Sequence, residues 1–169
     1  MIIKSQKLSA YQLKHSDFTA EVAIVCPKCA CKALVKGPGL YKDDVETLTY
    51  CVCIHCGYNQ KYRDKKPDFT RTNSHNKVFK YQVQMLGGDV DPFFYHELWY
   101  MAPCLEDRIW AYNLEHLELI EQFIAATDRS RNGLPNKNSS IASRLPKWIS
   151  ADKNRTVVLK CIQDLKAKK

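Results

Sequence analysis

Two Cys-x-x-Cys steps constrain this chain more than any other feature. The first is Cys26-Pro27-Lys28-Cys29. The second, 23 residues further on, is Cys53-Ile54-His55-Cys56, followed by Gly57. Zn²⁺ has no d-electron preference and takes four ligands at the corners of a tetrahedron. Two tight turns that each offer two thiolates supply those corners from a hairpin, which is the arrangement of a zinc ribbon. Pro27 presets the backbone of the first turn, and Gly57 lets the chain leave the second at positive φ. The expected cofactor is one structural Zn²⁺ on Cys26, Cys29, Cys53 and Cys56. A four-sulfur site has no open position for water, so catalysis at the metal is not expected. Cys31 and Cys51 flank the two turns almost symmetrically. They read either as strand neighbours with no metal role or as a reversible disulfide, if the strands bring them opposite. His55, inside the second turn, is expected to point outward.

A chain of 169 residues has room for one ordinary domain or two small ones. With 45% hydrophobic and 26% charged residues it is expected to fold. No apolar run approaches the roughly 18 residues of a membrane span. The opening Met1-Ile2-Ile3-Lys4-Ser5-Gln6-Lys7 lacks the apolar core of a signal peptide. A cytoplasmic protein without membrane contact is expected. In a reducing compartment eight cysteines favour metal over disulfides.

The net charge of +8 is unevenly spread. Residues 1–80 carry 14 Lys/Arg against 7 Asp/Glu, residues 81–128 carry 1 against 9, and residues 129–169 carry 11 against 2. Either the basic ends face a polyanion, or the acidic middle neutralises them within the fold.

The local patterns give an α+β chain. It reads as an N-terminal antiparallel zinc ribbon with a preceding strand (1–66), a linker (67–76), and an α+β domain (77–169). That domain holds a small β-sheet packed with two or three helices and ends in a basic helix. Strands are expected over 18–25, 32–36, 45–52 and 58–63, the last with Tyr58, Gln60 and Tyr62 on one face. Residues 77–85 read as a further strand. The aromatic run 93–101 reads as a buried strand broken by Pro103, with 108–112 as its partner. Asn113 is a good N-cap for a helix over 114–128, whose apolar face holds Leu117, Leu119, Ile120, Phe123 and Ile124. A basic loop covers 129–140, and a short helix covers 141–145. Ser150 is placed as the cap of a last helix, 151–168, with Val158, Cys161, Ile162 and Leu165 as its apolar stripe. Trp148 reads as an anchor for this tail, and Arg155 as the partner of an acid from the middle segment.

Aromatic rings stack on unpaired bases, and Lys and Arg pair with phosphates. Tyr41, Tyr58, Lys61, Tyr62, Arg63, Lys65 and Lys66 combine both types around the second cysteine turn. With Lys153 and Lys160 of the tail they form the candidate nucleic-acid surface. The alternative is a solvated strand whose Tyr rings pack on the ribbon. His116 lies on the apolar face of its helix and is expected as a core histidine bonded to a neighbour, not as a catalytic partner of Cys104. The chain has no phosphate loop, no His-Glu-x-x-His and no nucleophile elbow, so an enzyme is not expected.

Through Cys26-Pro-Lys-Cys29 and Cys53-Ile-His-Cys56-Gly57 the ribbon resembles the transcription-factor-IIB type. The rest resembles a group of small bacterial proteins with such a ribbon at the N-terminus. The shared strings are Trp110-Ala111-Tyr112-Asn113 with Glu115-His116-Leu117, Ala142-Ser143-Arg144-Leu145-Pro146-Lys147-Trp148-Ile149, and Lys153-Asn154-Arg155. This chain has Pro103-Cys104-Leu105-Glu106 where members often have a Cys-Cys-Gly step. The resemblance implies a zinc-ribbon protein without an assigned activity. The expected function is a zinc-binding, non-enzymatic protein associated with nucleic acid; the alternative is a protein-interaction module, such as an adaptor or inhibitor of a protein partner.

Overall fold

The computed structural model describes residues 9–131, 133–135 and 138–168. The basic segment 1–15, with Lys4, Lys7 and Lys14, reads as either an arm or a short helix, and its first eight residues lie outside the described ones. The fold is mixed α+β with small antiparallel sheets. The first sheet has the order β1 (Glu21–Val25), β2 (Lys32–Lys36), β3 (Tyr50–Val52), β4 (Asn59–Lys61), with a short helix α1 (Val45–Leu48) before β3. An exposed hairpin, β5 (Phe69–Thr72) and β6 (Val78–Tyr81), follows. The body contains the hairpin β7 (Tyr100–Cys104) and β8 (Asp107–Ala111), the helix α2 (Leu114–Ala125), two short helices α3 (Ile141–Arg144) and α4 (Lys147–Ser150), and the final helix α5 (Arg155–Ala167).

Strand β1 is buried along Val22, Ala23 and Ile24 because it has neighbours on both edges. One edge pairs with β2, matching Val22 with Val35 and Ile24 with Ala33. The other edge meets the body. Val25 N–H donates to Glu97 O at 2.8 Å, Trp99 N–H to Ala23 O at 2.9 Å, and Ala23 N–H to Tyr112 O at 2.7 Å. One hydrophobic cluster therefore runs from Phe18 and β1 through Phe93 and β8 into α2 and α5. Each Leu, Ile or Val fully buried there contributes about 1.5–3 kcal/mol.

Helix α2 starts where the sequence places it. Asn113 Oδ1 accepts the His116 N–H at 2.9 Å, and the same side chain donates to Phe18 O and Glu21 O, tying the helix to the segment before β1. Leu117, Leu119, Ile120 and Ile124 are buried, and Phe123 packs edge-on against Tyr11. On α5, Val158, Ile162 and Leu165 are buried. Trp148 anchors the tail as expected: its indole N–H donates to Asp107 Oδ2 at 3.1 Å.

Several local expectations give way to pairing partners. Strand β2 ends at Lys36, opposite Tyr50, so residues 45–49 have no strand to pair with. They wind into α1 instead. Tyr58–Arg63 fails as a full strand for the same reason: β4 pairs with β3 only from Asn59 to Lys61, and Tyr62–Asp64 form a 3₁₀ turn. The run 93–101 is not one strand. Asp91 accepts the backbone N–H groups of Phe93, Phe94 and His96, which closes a turn. Leu98 then bridges to β1, and β7 begins only at Tyr100. Pro103 lies inside β7 and is exposed, which a two-stranded sheet with a free edge tolerates. Four of the ten residues of the expected linker 67–76 form strand β5. Ser150 ends α4, and Asn154 precedes α5. Arg155 pairs with Asp152 of its own segment and donates to Ala126 O, not to an acid of the middle segment. Cys104 and Cys161 are joined by a disulfide between β7 and α5, where the cysteine count in a reducing compartment is expected to favour metal over disulfides.

Candidate metal centre and basic surface

Each cysteine pair sits in a turn of the same construction. In the first, Ala30 N–H donates to Cys26 O at 2.9 Å; in the second, Gly57 N–H donates to Cys53 O at 2.9 Å. Each turn leaves through a left-handed residue, Ala30 at φ 59° and Gly57 at φ 71°. The sequence signals Gly57 but hides Ala30, because alanine rarely takes that conformation. Backbone bonds from Cys26 N–H to Cys31 O and from Cys53 N–H to Tyr58 O, both 2.8 Å, close each turn at its own base, the first between β1 and β2 and the second between β3 and β4.

The four sulfurs lie within 4.8 Å of one another. Cys26 Sγ is 3.7 Å from Cys56 Sγ, and Cys29 Sγ is 3.7 Å from Cys53 Sγ. A metal–sulfur bond of about 2.3 Å places tetrahedral corners about 3.8 Å apart. The donor set thus fits a single metal ion. Ionisation of the thiols is uneven. Burial raises Cys26, but the backbone N–H groups of Lys28 and Cys29 and the neighbouring thiols outweigh it and bring it to about 7. Cys29 is pushed well up: the Cys31 N–H favours its thiolate, but burial and the surrounding thiols of Cys56, Cys26 and Cys53 prevail. Four thiolates this close need a cation among them.

Cys31 and Cys51 do not face each other. The register sets Cys51 opposite Val35 on one side and Gln60 on the other. Cys51 is fully buried, and burial pushes its thiol up to about 12, so it behaves as an inert core residue. His55 points outward as expected, and Ile54 beside it is 95% exposed.

The candidate nucleic-acid residues separate into two groups. Tyr41 is 77% exposed, and Lys61, Arg63, Lys66, Lys153 and Lys160 are exposed as well. Tyr62 is not a surface ring. It is fully buried, edge-on to Phe93 at 5.5 Å and to Phe94 at 5.7 Å. Lys65 is engaged: Nζ lies 2.9 Å from Asp68 Oδ1 and 3.9 Å from the centre of the Tyr95 ring. Tyr58 is half-buried and donates to Gln60 Oε1 at 2.6 Å.

The β5–β6 hairpin goes beyond what the sequence patterns suggested. Its signal is the alternation Phe69-Thr70-Arg71-Thr72 and Val78-Phe79-Lys80-Tyr81 around a polar Asn73–Asn76 turn. Asn73 closes that turn by accepting the N–H groups of His75 and Lys77 on its side-chain oxygen.

Ion pairing tests the idea of internal neutralisation. Lys166 reaches Glu121 at 2.9 Å and Glu118 at 4.0 Å, which joins the basic tail to the acidic middle. Lys36 pairs with Glu21, Lys65 with Asp68, and Arg129 and Arg155 with Asp152, each within its own basic end. Lys61, Lys66, Lys153 and Lys160 form no ion pair among the described residues. No helix of the described residues is long and apolar enough to cross a membrane. No family model, curated protein or solved structure matches the chain.

Proposed function

We propose that this chain is a non-enzymatic, zinc-binding protein that associates with nucleic acid. The ion is Zn²⁺, held by Cys26, Cys29, Cys53 and Cys56 in a ribbon of the transcription-factor-IIB type. Four soft thiolates in a tetrahedral set favour zinc over oxygen-seeking cations, and their closure leaves no site for a reacting water. The metal shapes the sheet, and side chains outside it meet the partner.

The observation that carries the reading is the set of exposed cations Lys61, Lys66, Lys153 and Lys160, which form no ion pair among the described residues. Lys61 and Lys66 flank Arg63 in the segment that leaves the second cysteine turn. Internal charge balance accounts for Lys166 but not for these residues. The test is binding of the zinc-loaded protein to single- and double-stranded DNA and RNA across a salt series. The logarithm of affinity should fall linearly with the logarithm of salt. K61Q/R63Q/K66Q should flatten that slope by roughly 0.7–0.9 for each phosphate no longer neutralised. Absence of binding at low salt would sink the reading. A protein partner is the second reading, favoured by the 95% exposed Ile54 at the tip of the second cysteine turn.

A further inference from the structure

We propose that the β5–β6 hairpin is a stacking platform for single-stranded nucleic acid, formed by Phe69, Phe79 and Tyr81 with Arg71 and Lys77. The inference rests on the nucleic-acid reading above and names the element that engages unpaired bases.

Successive side chains of a strand point to opposite faces, and residues directly opposite across a pair share a face. The register Phe69↔Tyr81 and Arg71↔Phe79 therefore puts three aromatic rings and a guanidinium on one side of the ribbon. Lys77 joins them, with Nζ 5.4 Å from the centre of the Phe79 ring. Thr70, Thr72, Val78 and Lys80 occupy the other side. Both strands are exposed at every position. Phe69 is 51% exposed, Phe79 37% and Tyr81 39%, in a chain that buries Tyr62 and Phe93 completely. Large rings left in water together on one face of a ribbon mark a binding surface.

The geometry and charge select the occupant. The Phe69 and Tyr81 rings lie 4.9 Å apart and within 17° of parallel, so a flat base can extend their stack. From residue 69 to 88 the charged residues are Arg71, Lys77 and Lys80, with no acid before Asp89. Arg63 and Lys66 lie just before the hairpin. This is a phosphate-complementary strip interleaved with rings. A duplex hides the faces of its bases in its own stack, whereas a single strand offers them, so rings favour the single strand.

A two-stranded hairpin is marginal by itself in water, and this one is fixed at its base. Asp68 accepts Lys65 Nζ at 2.9 Å, the Val83 N–H at 2.7 Å and the Tyr95 hydroxyl at 3.0 Å. The Val83 N–H first, then Lys65, holds the Asp68 carboxyl below the ordinary carboxylate range. Its negative charge is thereby committed to the hinge of the ribbon. The Gln82 amide adds bonds to Tyr62 O and Lys65 O. The platform is held against the body while its rings face solvent.

The test compares zinc-loaded wild type with F69L/F79L/Y81L and R71Q/K77Q, using labelled oligothymidylate and a duplex of equal length across a salt series. Leucine keeps the apolar bulk and removes the ring face, so the variant should stay folded, checked by circular dichroism and zinc content. Support is a loss of roughly tenfold or more in single-strand affinity at every salt, with the salt slope unchanged. R71Q/K77Q should instead flatten the slope by about 0.7 for each phosphate no longer neutralised. A 2-aminopurine base in the strand should be quenched by wild type and not by the leucine variant. Wild-type binding that the leucine variant retains would overturn the hairpin assignment and leave the nucleic-acid reading standing. Tighter binding to duplex than to single strand would overturn the stacking role. No wild-type binding at low salt would overturn both proposals.

Discussion

Acid should destabilise this protein through His116, and the effect can be worked from its surroundings. The ring is 1% exposed, stacked on Phe18 at 4.7 Å, and flanked by the edges of His15 and Trp110. The Tyr112 N–H donates to His116 Nδ1 at 3.2 Å, so that nitrogen carries no proton. Protonating it would set two donors against each other. Burial first, and the nearby His15 second, lower the His116 pKa from 6.5 to about 3. Between these values the unfolded chain binds a proton that the folded chain refuses. Stability is therefore complete above pH 6.5 and is lost as pH falls from 6.5 toward 3. The loss is about 1.4 kcal/mol per pH unit, or about 2 kcal/mol from pH 6.5 to about 5. His15, lowered to about 4 by burial and then by Arg144, acts in the same direction over the same range. A similar loss from His15 would remove a large part of a total stability of about 5–15 kcal/mol. Cysteine protonation also weakens a metal site in acid, so the informative quantity is a difference of slopes. Urea melts of wild type and His116→Phe at several pH values should show the variant's stability falling less steeply, by about 1.4 kcal/mol per pH unit. Equal slopes, or an imidazole NMR titration of His116 near 6.5, would refute the reasoning.

Other outcomes follow from the fold. Tyr62→Ala should cost about 3–5 kcal/mol in a denaturant melt, because it empties a site between Phe93 and Phe94; a loss under about 1 kcal/mol would return Tyr62 to the surface. Replacing Cys104 and Cys161 together by serine should lower stability by up to about 4 kcal/mol, since the cross-link closes a loop of 57 residues in sequence separation. A matching midpoint for wild type under reductant and the double variant would be the consistent result, and no change in either would deny the bond a role. Cys29→Ser should abolish tight zinc binding measured by chelator competition, and full retention of zinc would refute the four-sulfur ligand set.

What is readable in the sequence is whatever a short window decides. The cysteine spacing marks both turns, and Gly57 marks the exit of the second, although nothing marks Ala30 at the exit of the first. The α2 cap needs Asn113, and the faces of α2 and α5 need only the helical period. The errors arise where a distant partner decides. Val45–Leu48 has strand formers but no strand beside it, because β2 ends at Lys36. Tyr62 continues the alternation of β4 yet turns inward, since its N–H finds Thr49 O at 2.9 Å and its ring finds Phe93. Arg155 and Asp152 pair within one turn, while the sequence suggested a partner far away. Cys104 and Cys161 are 57 residues apart, and nothing local to either signals the other. At the candidate metal centre the four clustered cysteines are legible, but the inert placement of Cys51 requires the β2–β3 register.

The double pairing of β1 has a mechanical consequence. The strand that delivers Cys26 also hydrogen-bonds through Val25 and Ala23 to Glu97 and Trp99 of the body. A load applied at the cysteine turns therefore runs straight into the core without crossing a flexible joint. Movement of a partner bound near the ribbon would be transmitted to β7, α5 and the Cys104–Cys161 cross-link as one stiff lever. Cutting the chain after residue 66 would leave β1 with a bare edge, a template for pairing with another chain.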